Sequence, residues 1–162
     1  MAGRVTIREM TSDDREWAHT LIAEHWGGIT MVTRGVLYDM RQFPGVIAWR
    51  DGMPVGLATY RIDGDACELM SINSLIEDSG VGTALLRAVE ETARAAGCRR
   101  LFLITTNDNT HALRFYQRRG YRLTALRPGA LDEARRLKPG IPEIGMDGIP
   151  LRDELELERM LI

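Results

Sequence analysis

Between Ala66 and Leu126 the chain alternates strand-length apolar runs with helix-length amphipathic ones, and each helix stops at a glycine. Ala66–Leu75 reads as a strand. A helix follows over Val81–Ala96, with Val81, Leu85, Ala88, Val89 and Thr92 on one side and Gly97 in the left-handed stop position. Leu101–Thr105 is a buried-strand run, Thr110–Arg119 a second helix closed by Gly120, and Tyr121–Leu126 another strand. Strand–helix–strand–helix–strand predicts an α/β (α+β) fold, a mixed sheet with helices packed on it.

The residues before this region add a meander. Val5–Ile7 reads as a short strand, and Thr11-Ser12-Asp13-Asp14 supplies caps and first-turn acids for a helix carrying Trp17, Leu21 and Ile22. Gly27-Gly28 ends that helix, and a second short helix is expected near Val36–Met40. Val46–Arg50 and Val55–Ile62 flank Asp51-Gly52, a hairpin turn signal extended by Met53-Pro54, and Gly64-Asp65 turns the chain again. After Leu126, Pro128 to Pro150 is rich in proline and glycine, with one short helix expected at Ala130–Leu137. Leu155, Leu157 and Leu161 alternate with Glu154, Glu156 and Glu158, the period of a half-buried strand.

No repeat, linker or low-complexity block divides the 162 residues, so a single domain over 1–162 is expected. No apolar run approaches the ~20 residues of a membrane span, and the N-terminus lacks the apolar core of a secretory signal. Cys67 and Cys98 have no metal-ligand partner at useful spacing and read as reduced thiols, which points to the cytoplasm. The net charge of −2 argues against nucleic acid as a partner. Arg99, Arg100, Arg114, Arg118, Arg119, Arg122 and Arg127 nevertheless stand in one stretch with Asp108 as its only acid. They form either solvated helix faces or a positive rim for a polyanion.

Chemistry is concentrated in two segments. In the first, the strand ending Ser71-Ile72-Asn73-Ser74-Leu75 leads through Ile76-Glu77-Asp78-Ser79 into Gly80-Val81-Gly82-Thr83, where a helix starts at once. Glycines there let backbone approach a ligand, and the first helical amides offer an anion seat. A dinucleotide fold is the competing reading, with Asp108 at the end of the next strand. Against it, Gly82 is followed by Thr83-Ala84-Leu85, so the third glycine of that fingerprint is absent.

The second segment is Asn109-Thr110-His111-Ala112-Leu113-Arg114-Phe115-Tyr116-Gln117-Arg118-Arg119-Gly120-Tyr121. It resembles the N-x-x-A-x-x-F-Y-x-x-x-G-[FY] signature of the GNAT acetyltransferases, and the Gly80–Thr83 segment resembles that family's acetyl-CoA loop, [QR]-x-x-G-x-[GA]. The family's Arg or Gln is Glu77 here, followed by Asp78. A carboxylate about 8 Å from a pyrophosphate, at an effective dielectric of roughly 40, opposes binding by on the order of 1 kcal/mol per charge pair. That is tolerable where both acids point to water.

The resemblance implies a mixed, mostly antiparallel central sheet flanked by helices, and acetyl-CoA as acyl donor with no metal. It implies pantetheine contacts along the strand at Met70 and Ile72 and at Asn109, and phosphate contacts at Gly80, Val81, Gly82 and Thr83. Asn109 is also a natural N-cap for the helix that follows. Tyr116 matches the tyrosine that protonates the leaving thiolate, the competing reading being an aromatic packed with Phe115. Glu68, on the face of Met70 and Ile72 by alternation, is the candidate base, or else a cross-strand ion pair with Arg61. His25 and Trp26 lie in the region that walls the acceptor site in similar enzymes. His111 reads as a surface residue and Cys67 as a poor nucleophile. The expected activity is transfer of an acetyl group to a primary amine, small molecule or peptide, by direct attack in a ternary complex. A non-catalytic acyl-CoA-binding or regulatory domain and a nucleotide-binding redox domain are the alternatives. No nucleic acid or membrane partner is expected, and a homodimer is compatible with these readings.

Overall fold

The computed structural model describes residues 3–77 and 79–162. The expectation that Asp78 turns to water lies outside the described residues. The strands are β1 (Thr6–Glu9), β2 (Thr30–Thr33), β3 (Val36–Asp39), β4 (Gly45–Arg50), β5 (Met53–Asp63), β6 (Ala66–Ser74), β7 (Arg100–Thr106), β8 (Arg122–Arg127) and β9 (Glu154–Met160). The α-helices are α1 (Arg15–His25), α2 (Val81–Ala95), α3 (Thr110–Gln117) and α4 (Ala130–Leu137). Among the described residues seven strands hydrogen-bond in the order β1-β4-β5-β6-β7-β9-β8, and β2 and β3 form a separate hairpin. The pairs β1/β4, β4/β5, β5/β6 and β8/β9 are antiparallel. The result is a mixed α/β fold with a mostly antiparallel central sheet flanked by helices. Two compact units can be distinguished, one of residues 3–21, 41–101 and 160–162 and one of residues 22–40 and 102–159.

In the first unit, β4, β5 and β6 form a meander. Asp51 (φ 52°) and Gly52 (φ 75°) make the two-residue turn at its first corner, the left-handed pair that matches strand twist. Pro54 therefore belongs to β5 rather than to the turn. Helix α2 packs on this sheet through Val81, Leu85, Leu86, Val89 and Ala93, all fully buried. Each such Val or Leu contributes roughly 1.5–3 kcal/mol by leaving water. The buried stripe takes in Leu86 and Ala93 rather than Thr92. Gly56 permits the close approach: a Cβ there would lie 2.8 Å from Val81 Cγ1 and 2.9 Å from Leu85 Cδ1. The expected left-handed stop occurs at Gly97, with φ 84°. Before α1, Thr11 and Asp14 form a capping box, and the Asp14 carboxylate takes two bonds from the Arg8 guanidinium, at 2.8 and 3.1 Å.

The second unit corrects one expectation. Val36–Asp39 is not helical but pairs with Thr30–Thr33. Arg34 (φ 50°) and Gly35 (φ 77°) form a tight turn of the left-handed kind, and Val36, Leu37 and Tyr38 suit the strand that follows. Glu154 ties down the strained corner through its backbone: both carboxylate oxygens accept the Arg34 main-chain N–H at 3.3 Å, and Oε1 also accepts Arg127 Nε at 3.3 Å. That role buries Glu154, 3% exposed. β9 is a strand as expected, but its first glutamate points inward rather than to water. Helix α4 has the expected bounds. Leu131 and Ala134 pack with Leu151, Val32 and Ile141, and Lys138 Nζ donates to the carbonyls of Trp26 and Thr30 at 3.1 and 2.6 Å.

Candidate active site

The first unit carries the Gly80–Thr83 turn and the β6 residues. Gly80 adopts φ 78°, ψ 2° as the N-cap of α2, which has no acid in its first turn, and Ser79 Oγ accepts the Val81 N–H at 3.4 Å. The Gly80 carbonyl accepts the Ala84 N–H at 3.0 Å. The positive end of this fifteen-residue helix's dipole is thus unopposed by acids of its own first turn. Gly80 and Glu77 are both exposed, so Glu77 has its carboxylate in water as the phosphate reading requires.

On β6 the pairing with β5 slips: Tyr60 opposes Leu69, while Thr59 opposes Ser71, leaving Met70 as an extra residue. This bulge resets the alternation. Glu68, opposite Arg61, shares a face with Ser71, opposite Thr59. Ile72 lies on the other face, that of Ala58 and Gly56, which α2 covers. The expectation that Glu68 and Ile72 share a face is therefore wrong, because strict alternation does not survive an inserted residue. Two polar pairs line the Glu68 face. Arg61 Nη2 donates to Glu68 Oε1 at 3.1 Å, and the buried hydroxyls of Thr59 and Ser71 are hydrogen-bonded at 2.5 Å. The hydroxyl pair was not anticipated, since neither residue has a partner within reach along the chain. Cys67 opposes Ile62, on the face away from Glu68. Burial pushes its thiol up to about 12, so it is a poor nucleophile.

The second unit carries Asn109 and Tyr116. Asn109 is the N-cap of α3, its Oδ1 accepting the Ala112 N–H at 3.1 Å. Tyr116 is 5% exposed. Its ring meets those of Phe115 and Tyr121 edge-on, with centroids 5.1 and 5.7 Å away. Burial raises the Tyr116 hydroxyl well above the usual tyrosine value. His111 is exposed, as expected; His25 is exposed and Trp26 half-buried. Arg114 on α3 and Arg118 at its C-terminal cap are solvated, and Arg127 is held by Glu154 and Glu156. Asp108, the acid a dinucleotide reading would have needed, is buried and engaged by its own unit: Thr106 Oγ1 donates to Oδ1 at 2.5 Å and the Met146 N–H to Oδ2 at 2.9 Å.

Residues 8–121 match the family model described as "Acetyltransferase (GNAT) family". The chain belongs to the GNAT acetyltransferase family. A relative of this GNAT chain is YdhI of Bacillus subtilis (strain 168), an uncharacterized protein, 46% identical over 140 residues, which are 86% of this chain and 88% of the relative. Among solved structures, the IAA acetyltransferase from Bacillus cereus ATCC 14579 superposes with a TM-score of 0.75 at 22% identity, covering 98% of this chain and all of that one. A GNAT family acetyltransferase from Elizabethkingia anophelis with acetyl-CoA bound superposes with a TM-score of 0.69, also at 22% identity, over 97% of this chain and 98% of that one. At that identity the superpositions speak to the fold, and the family assignment rests on the sequence match.

Proposed function

We propose that this GNAT chain, acting as one domain over 1–162 in the cytoplasm, is an N-acetyltransferase that moves an acetyl group from acetyl-CoA to a primary amine by direct attack in a ternary complex. The observation that carries the reading is the start of α2, where Gly80-Val81-Gly82-Thr83 opens a long helix with a glycine N-cap and no first-turn acid, the Val81 N–H reaching Ser79 Oγ only at 3.4 Å. Such a terminus suits a pyrophosphate. Met70 and Ile72 on β6 and Asn109 at the head of α3 are the proposed contacts of the pantetheine arm, with the Asn109 amide nitrogen as donor.

In the reaction the neutral amine nitrogen attacks the thioester carbonyl carbon, and the carbon–sulfur bond breaks as the tetrahedral adduct collapses. Tyr116 is the proposed acid: burial keeps its hydroxyl protonated at any working pH, so it arrives with a proton for the departing sulfur. The same burial resists phenolate formation, which places its contribution near the lower end of the ~10²–10⁴ range of general acids, or below it. Glu68 is the proposed base. Arg61 engages one of its oxygens, and the ammonium proton reaches the carboxylate directly or through water. Positioning of the two reactants supplies much of the remaining rate.

A thiol-release screen tests this, with acetyl-CoA and a panel of amino acids, polyamines, aminoglycosides and peptide N-termini. Release of CoA dependent on one amine class supports the reading. CoA binding by calorimetry without turnover on any amine would leave a non-catalytic acyl-CoA-binding domain instead.

A further inference from the structure

The long segment between α4 and β9 is built almost wholly of loop, closed on itself by bonds such as Gly145 N–H to the Ile149 carbonyl at 2.8 Å and Leu151 N–H to the Glu143 carbonyl at 3.0 Å, and three side chains on the elements beside it hold further backbone groups. Arg135 on α4 donates to the carbonyls of Pro142 and Leu151 at 2.7 and 2.6 Å. Asn107, at the end of β7, donates from Nδ2 to the Pro150 carbonyl at 2.8 Å and accepts the N–H groups of Arg152 and Asp153 on Oδ1 at 2.9 and 3.0 Å. Asp108 accepts the Met146 N–H at 2.9 Å with its second oxygen, the first being held by Thr106. It is 4% exposed. A Cβ at Gly145 would run into this carboxylate, lying 2.6 Å from its Cγ. Loops of this length are ordinarily free to move, and here one turn of β7–α3 holds the segment at its middle, Met146, and at its end, Pro150 to Asp153.

The same turn continues directly into Asn109. Asn107 and Asp108 hold the loop, and Asn109, one residue on, holds the first turn of α3 through Ala112. Burying a carboxylate to bind a single hydroxyl and a single loop amide is costly unless the position of that amide matters. We propose that Asp108 is a positioning residue that locks residues 145–150 to the turn carrying Asn109, so that occupancy of the cofactor arm at Asn109 sets the order of that loop. This rests on the acyl-CoA reading above. Cofactor binding and loop order are then coupled through a contiguous hydrogen-bonded turn.

The test is backbone hydrogen exchange of the intact protein with and without CoA, paired with calorimetry of CoA. In wild type, CoA slows exchange over residues 144–151 by about five-fold or more, the lower range of usual coupling. Asp108→Ala abolishes that response while CoA still binds and the α3 amides still respond. Asp108→Asn restores it, because an amide can accept from Met146 and donate to Thr106. Gly145→Ala, which pushes the loop off Asp108 and leaves Asp108 and Asn109 intact, also abolishes the response and covers the case in which Asp108→Ala fails to fold. CoA that binds and protects α3 but leaves the wild-type loop unchanged overturns the coupling alone, as does a loop response that survives in either disrupting variant. CoA that gives no heat with wild type overturns the acyl-CoA reading and this proposal with it.

Discussion

Arg61 and Glu68 face each other across β5 and β6, Nη2 to Oε1 at 3.1 Å, and the carboxylate is the more deeply buried, 1% exposed against 23%. A charge so placed survives only with its partner, and the pair holds Glu68 on the face of β6 away from α2. An aliphatic amine with a pKa of roughly 10 reaches the enzyme almost wholly protonated at neutral pH, so something must take its proton. Glu68→Gln keeps an acceptor for Arg61 and is expected to fold. Its rate should fall most steeply at low pH and recover as pH rises and the amine arrives neutral. A pH–rate profile that matches wild type in height and shape removes Glu68 as base and makes His25 the next residue to test.

Tyr116→Phe separates chemistry from packing. The ring contacts with Phe115 and Tyr121 do not involve the hydroxyl, so fold and acetyl-CoA affinity should hold. Turnover should drop about ten-fold or more, the modest end for a lost general acid. Wild-type turnover under conditions where chemistry limits the rate would reduce Tyr116 to a packed aromatic.

The region from Ala66 to Leu126 was legible because its information is local. The α2 apolar stripe, the stops at Gly97 and Gly120 and the Asn109 cap each act within a turn or two of chain. What stayed hidden depends on distant partners. The Arg34-Gly35 corner looks like no common hairpin signal, and the carboxylate that ties down its backbone, Glu154, lies 120 residues on. The Met70 bulge arises from pairing with Thr59 and Tyr60, and a residue count along β6 cannot register it. Asn107 carries no signal in the sequence and Asp108 only that of a dinucleotide acid, while their side chains serve backbone 38 to 46 residues on. The candidate site follows the same division: the glycine turn and the Asn109–Tyr121 signature announce themselves, and the face that Glu68 occupies does not.

Asp14 gives a stability signature in acid. Bonds from Arg8, then from the Thr11 backbone, hold its carboxyl at about 2, below the usual ~3.9 of an aspartate. With the folded value depressed, the unfolded chain takes up this proton first as pH falls. The stabilisation is complete above about 4 and is lost on the way down to about 2. In Asp14→Asn that component should vanish, so thermal unfolding between pH 4 and 2 should be flatter than in wild type. Parallel curves for the two proteins would mean the Arg8–Asp14 pair contributes nothing to folding.

Gly82→Asp sets fold and ligand against each other. Gly82 is the second residue of α2, where an aspartate replaces the least favourable ordinary helix former by a better one. Its charge also meets the positive end of the dipole, worth about 0.3–1 kcal/mol. The melting temperature should therefore hold or rise. The same carboxylate would stand beside the proposed pyrophosphate, where a like-charge pair at ~5 Å in an effective dielectric of about 20 costs roughly 3 kcal/mol. That is about two decades of affinity for each such pair, so CoA binding should fall below detection by calorimetry in a protein at least as stable as wild type. Unchanged CoA affinity in the folded variant would show that the phosphates do not sit at the start of α2.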